Sequence, residues 1–202
     1  MINSIAICGH GRHGKDTVAR IFAHYTRLRY VNSTSWFVAG KMWLSLASSL
    51  VEYLRLSKFS EEFRGGTPES FKAAFPSVTD WFNARSKYRQ YWADYIDRYN
   101  KPTGTKLYED CLQQQDILTG IRYPHEFKAC VDAGLFTISI WVKQPDGPAD
   151  PTQLVREEDC DFTIINEKDD ARGTERKVRN LIRFFGLAKI NGEMTDKELY
   201  GD

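Results

Sequence analysis

The chain has 202 residues, 42% of them hydrophobic and 27% charged, with a formal net charge of +1. That length suits one domain with a full core and room for a smaller lid or subdomain. The near-neutral charge supplies no general attraction to nucleic acid or to an anionic membrane.

In chain order, SIAICG (residues 4–9) is apolar on both faces and closed by glycine, the pattern of a short buried strand. Val18, Ile21, Phe22, Tyr25 and Leu28 then recur at helical spacing, which predicts a helix from Lys15 to about Tyr30. YVNSTSWF (30–37) reads as a weak second strand, and GKMWLSLASSLVEYLRL (40–56) as helix. From about residue 58 to 114 aromatic and basic residues concentrate, punctuated by GGTP, FPS and NKPTGT, which predicts a helical insert. The α/β pattern resumes with a strand in DILTGI (116–121), a helix in PHEFKACVDAG (124–134) and a strand in LFTISIWV (135–142). A proline-rich loop (143–160), a strand in DFTIIN (161–166) and an amphipathic helix in TERKVRNLIRFFG (174–186) follow. INGEMTDKELYGD (190–202) reads as a loosely attached tail. Strands alternating with helices predict a mostly parallel sheet covered on both faces, with ligands at the carboxyl ends of its strands.

Cys8, Cys111, Cys130 and Cys160 form no CxxC pair and read as small buried hydrophobes. With no leader-like segment and no run near the ~20 apolar residues of a membrane span, a reduced, cytoplasmic protein is expected.

Gly9, His10, Gly11, Arg12, His13, Gly14 and Lys15 fit G-x-x-x-x-G-K between a predicted strand and a predicted helix. Backbone N–H groups of such a loop cradle anionic oxygens, and the helix N-terminus adds partial positive charge. Lys15 would reach the β- and γ-phosphates of a nucleotide. Asp16 stands where Ser or Thr usually meets Mg²⁺, and Thr17 follows it. Two roles stay open here, a metal held by Asp16 through water and a phosphate contact by Thr17. The side chains of His10 and His13 read as incidental to any mechanism.

GRHGKDTVARIF, GIRYPHEF and DFTIIN, in this order and spacing, resemble the phage-type deoxynucleoside monophosphate kinases. That family is a branch of the P-loop nucleoside monophosphate kinases close to dephospho-coenzyme A kinase. The resemblance implies an α/β fold of P-loop NTPase type in a single domain over residues 1–202. Its parallel five-stranded sheet would carry helices on both faces, an acceptor-binding insert at about 58–114 and a short lid at about 144–159. ATP is the implied donor and Mg²⁺ the implied cofactor. Nucleotide contact then falls on Gly9, Gly11, Arg12, His13, Gly14, Lys15, Asp16, Thr17 and Asn166, with Asp16 and Thr17 toward the metal. Lys15, Arg122 and the lid's Arg156 take the catalytic positions. Lys41, Arg85, Arg122 and Glu126 match acceptor-side positions, and Arg89 is a second basic candidate on the insert.

One departure is marked: a carboxylate common at the strand end before Arg122 is replaced by Thr119 and Gly120. For Arg122 the strand-end position favours a functional role, and an ion pair with Glu126 across the first helical turn is the alternative. Tyr88, Tyr91, Trp92, Tyr95 and Tyr99 at helical spacing read first as a packing face and second as a base-stacking one. The expected activity is ATP-dependent phosphorylation of a deoxynucleoside monophosphate to the diphosphate. A rival keeps the ATP site but takes a hydroxymethylated pyrimidine base within DNA. A third reading is a non-catalytic nucleotide-binding protein. The expected partner is a small-molecule nucleotide acceptor, with DNA under the rival, no membrane, and homodimerisation left open. The expected location is the cytoplasm, the host's if the chain is phage-encoded.

Overall fold

The computed structural model describes residues 2–187 and 192–200. It resolves into two compact units, Met1–Thr34 with Tyr108–Asp202, and Ser35–Leu107.

The first unit is built on four strands, β1 (Ile5–Cys8), β2 (Ile117–Thr119), β3 (Ile138–Lys143) and β4 (Phe162–Ile165), all parallel and ordered β2-β1-β3-β4. Ile5, Ile7, Ile138, Ile140, Val142 and Ile164 alternate onto one face, where they pack with Val18, Ile21 and Phe22 of α1 (Lys15–Tyr25) and with Val178 and Ile182 of α9 (Ala171–Phe184). The intervening β1 residues, Ala6 and Cys8, are also fully buried, so the central strand is covered on both faces. The Cys8 thiol is pushed well above its ordinary value, first by a hydrogen bond with Cys160 and then by burial, and it behaves as a packed apolar group. Pro124 opens α8 (Pro124–Asp132), and Gly134, with φ +64, follows its end.

The sheet has four strands among the described residues, not the five expected, because YVNSTSWF forms none. The backbone N–H groups of Val31 and Asn32 both donate to Gln115 Oε1, at 3.1 Å each, instead of entering a ladder. Asn32 Oδ1 accepts from Ser33 N at 2.8 Å, and α2 (Thr34–Ser48) starts at the next residue. Side-chain acceptors have captured the donors that a strand would use.

The tail also differs from expectation. Met194 and Leu199 are buried, Met194 N donates to Tyr25 Oη at 3.1 Å, and Arg172 bridges to Asp196 at 2.7 Å, so residues 192–200 dock on the first unit through α10 (Asp196–Tyr200). The remainder of that stretch, residues 190, 191, 201 and 202, lies outside the described residues.

The second unit holds α3 (Leu50–Phe59), α4 (Pro68–Ala74), α5 (Val78–Asn83) and α6 (Arg89–Asn100), with α7 (Lys106–Leu112) at its boundary. Ser49, in extended conformation, splits α2 from α3 and accepts from Glu52 N at 3.3 Å as an N-cap. The unit begins ahead of the aromatic stretch because α2 belongs to it: Trp43 Nε1 donates to Phe75 O at 2.9 Å, and Trp36 packs on Phe82. Trp81 lies at its centre, stacked on Tyr88 and Trp92 and edge-on to Phe71.

Tyr88, Tyr91, Trp92 and Tyr95 are all buried, so these rings form a packing face rather than an exposed stacking surface. Glu52 is buried among them, accepting from Tyr91 Oη at 2.7 Å and from Arg98 at 2.6 and 3.2 Å. Burial alone would raise this carboxyl. The Arg98 and Tyr91 bonds outweigh it and hold the group below its ordinary value of 4.5.

Removing one partner of a buried ion pair strands the other charge. Glu52→Ala should therefore cost about 3–5 kcal/mol of unfolding free energy in urea melts at neutral pH. Because the folded value is depressed, the stabilisation is present above the ordinary carboxylate value and is lost as pH falls through the folded one. The gap between variant and parent should narrow in acid.

Candidate functional site

The turn from β1 into α1 is constrained by its surroundings. Gly9 has φ +138, and a Cβ there would lie 2.3 Å from the carbonyl oxygen of Val142 on β3. Gly14, with φ +86, is the N-cap of α1, and a Cβ there would meet Asn166 Nδ2 at 2.2 Å. Arg12 adds a third left-handed residue, φ 66. Alternation of this kind gathers backbone N–H groups into an anion-binding concavity, and the first-turn N–H groups of α1 extend it.

Asn166 braces the loop from β4. Its amide donates to His13 O at 2.9 Å and its carbonyl accepts from Thr174 at 2.7 Å, so the side chain supports the loop's shape. Lys15 is half-buried, and its amine donates to His10 O at 2.5 Å. Burial, then the positive charge of Arg122, draws the amine down to about 8. Two cations thus share one neighbourhood, an arrangement that favours an anion between them.

Arg122 follows the end of β2. It pairs with Asp150 at 2.8 Å and Thr152 at 2.5 Å, while Glu126 is buried and accepts from Tyr108 at 2.8 Å. Asp150, not Glu126, is therefore the carboxylate that Arg122 holds. Thr152 and Arg122 keep the Asp150 carboxyl well below the usual range against the opposing effect of burial. Asp150 Oδ2 also lies 3.1 Å from the position a Cβ on Gly11 would take. An anionic oxygen thus rests against the glycine loop and Arg122 already.

The loop carrying Asp150 is latched by the two histidines. His10 Nδ1 accepts from Asp150 N at 3.2 Å, and His13 Nδ1 accepts from Gln144 N at 3.2 Å while its Nε2 faces Pro148 O at 3.2 Å. Both Nδ1 atoms act as acceptors only on neutral rings.

Asp16 Oδ1 accepts from Tyr30 Oη at 2.6 Å and lies 3.4 Å from Thr119 Oγ1. Thr17 is half-buried and accepts weakly from Arg20 at 3.4 Å. Arg156 is exposed and pairs with Glu158 at 2.9 Å, so its guanidinium is directed to an acidic neighbour on its own turn. In the second unit Lys41 is exposed over the Phe37 ring at 5.3 Å. Arg85 donates to Phe82 O at 2.9 Å with its guanidinium 4.0 Å from the Phe82 ring centre, and Arg89 is the exposed first residue of α6.

The first unit therefore brings together Lys15, Asp16, Arg122 and the glycine loop. Sequence reasoning missed Tyr30, Asp150, Thr152 and the bracing role of the histidines, and it noted Thr119 only as a departure, without its contact to Asp16. A proline-rich loop containing both Asp and Thr was the one available signal for Asp150 and Thr152. No protein-family model matches the chain, and no curated protein does.

Burial and the neighbouring His10 lower His13 below its ordinary value of 6.5. The neutral ring is thus the one that the docked loop requires. As pH falls below about 6.5, protonation turns an acceptor into a donor and works against docking. Amide exchange at Gln144 and Asp150, corrected for its intrinsic pH dependence, should accelerate in acid, and His13→Phe should remove most of that pH dependence.

Proposed function

We propose that the chain is an ATP-dependent kinase that phosphorylates a deoxynucleoside monophosphate to the diphosphate in the cytoplasm. The observation that carries this reading is the glycine loop at the start of α1, with half-buried Lys15 at its end and the Asp150 carboxylate that pairs with Arg122 resting against Gly11. The resemblance of GRHGKDTVARIF, GIRYPHEF and DFTIIN to the phage-type kinases of the P-loop NTPase class supplies the acceptor class.

The residues present fit a polyphosphate. The loop offers backbone donors, the α1 N-terminus favours negative charge, and the seat of Asp150 accommodates anionic oxygen beside Arg122. They also fit magnesium in the form that nucleotides bring it. Among the described residues no group of three or more His, Cys, Asp or Glu could hold a metal alone, so Asp16 would supply one carboxylate and phosphates and water the remainder. A bound magnesium ion would neutralise charge on the β- and γ-phosphates.

Phosphoryl transfer asks the protein chiefly for in-line positioning and for cations at the spreading charge. The acceptor's phosphate oxygen forms the new bond to the γ-phosphorus as the bond to the β-γ bridging oxygen breaks, and ADP leaves. Lys15 meets the β- and γ-oxygens, and a phosphate returns its amine toward the fully charged form. Arg122, released from Asp150, offers a planar fork to the transferring group. No helix among the described residues is long and apolar enough to cross a membrane.

The direct test incubates the protein with γ-labelled ATP and a panel of deoxynucleoside monophosphates, plain DNA and hydroxymethylpyrimidine DNA. Label on a free monophosphate is expected, and label on DNA alone would overturn the acceptor assignment. Lys15→Ala should lower turnover by about 10²-fold or more while leaving the melting transition in place. Arg122→Lys keeps the charge but loses the fork, and should still lose most of kcat/KM.

A further inference from the structure

Loops of the G-x-x-x-x-G-K type usually place a hydroxyl on the residue after the lysine and a metal-side carboxylate at the end of a neighbouring strand. In this chain both positions are altered, to Asp16 after Lys15 and to Thr119 and Gly120 at the end of β2. The fold brings the two alterations face to face. β2 lies beside β1 with Thr119 opposite Ile7, and Thr119 Oγ1 is 3.4 Å from Asp16 Oδ1. Tyr30 Oη donates to the same oxygen at 2.6 Å.

The seat of Tyr30 is anchored from both sides. Arg29 is bound to Asp116 by its backbone N–H and by its guanidinium, at 2.8 to 3.1 Å, while Val31 N and Asn32 N are bound to Gln115. Both contacts to Asp16 fall on Oδ1. Asp16 is exposed, and its Oδ2 has no bond partner among the described residues.

We propose that Asp16 and Thr119 have exchanged the usual carboxylate and hydroxyl, so that Asp16 presents Oδ2 to a divalent cation carried by a nucleotide polyphosphate, with Tyr30 and Thr119 as its positioning residues. The proposal rests on the nucleotide reading of the glycine loop. A hard, oxygen-ligated cation needs one or two protein carboxylates besides phosphate and water, and Asp16 supplies one. Hydroxyl donors on one oxygen hold the carboxylate's orientation and leave the other for the ion or its water.

The test measures manganese(II) binding to the protein–ADP complex by electron paramagnetic resonance, beside ADP binding in EDTA. Asp16→Asn, Asp16→Ser and Tyr30→Phe should each weaken manganese by about 10-fold or more. ADP affinity in EDTA should change little in all three. The decisive variant is the reversed pair, Asp16→Ser with Thr119→Asp, which should recover most of the manganese affinity lost in Asp16→Ser. A metal midpoint indifferent to Asp16→Asn and to Tyr30→Phe overturns the exchange. A folded reversed pair that binds manganese no better than Asp16→Ser does the same, and Asp16→Asn and Tyr30→Phe decide the matter if that pair fails to fold. Loss of ADP binding by the unsubstituted chain would instead overturn the nucleotide reading itself.

Discussion

Everything at the site depends on the absence of side chains at two points where the chain leaves β1. At Gly9 the backbone passes so close to β3 that a single Cβ would overlap the Val142 carbonyl, and at Gly14 the amide of Asn166 fills the corresponding space. Parallel strands place their carboxyl ends together, and the loop fits the resulting crevice only as bare backbone. That close approach starts α1 with a glycine N-cap, which leaves its first N–H groups uncapped by a side chain. An exposed row of donors at a strand–helix junction is a place that attracts negative charge.

The charges around the loop follow from that geometry. Lys15 and Arg122 each lower the cost of holding an anion and raise the cost of leaving the place empty. Asp150 relieves that cost in the structure at hand, with Thr152 sharing its seat. On the proposed reading a ligand phosphate would compete for the same guanidinium, so affinity for a polyanion would be set by a difference between two anions and not by Arg122 alone. The two histidines join the Asp150 loop to the glycine loop through their Nδ1 atoms, which makes loop and cradle one structural element.

The second unit is organised by a different constraint, the burial of large rings with polar edges. Tyr91 finds Glu52, Tyr53 finds the Phe63 carbonyl and Trp43 finds the Phe75 carbonyl. The buried indole N–H groups of Trp81 and Trp92 have no partner among the described residues. Glu52 accepts from Tyr91, Arg98 and Arg55, and Arg98 keeps its charge tolerable inside the unit.

Local chemistry made part of this protein readable in advance. The strand Ile5–Cys8, the left-handed glycine before Lys15 and the apolar stripe of α1 are set by residues within a few positions of each other, so spacing alone reveals them. The buried aromatic face of α6 was legible for the same reason. Contacts between distant segments were not. Whether YVNSTSWF became a strand turned on Gln115, a side chain more than eighty positions away, taking its donors. Asp16 meets Thr119 across 103 positions, and Arg122 chooses Asp150 over the nearer Glu126 because the proline-rich loop returns to the end of β2. Strand order and loop docking create these neighbours, and neither is encoded in any local period. The sequence by itself determined a glycine-rich turn from a buried strand into a helix that starts at Lys15. The tertiary structure decided which carboxylates, hydroxyls and cations surround it, because it alone sets which strand ends lie side by side.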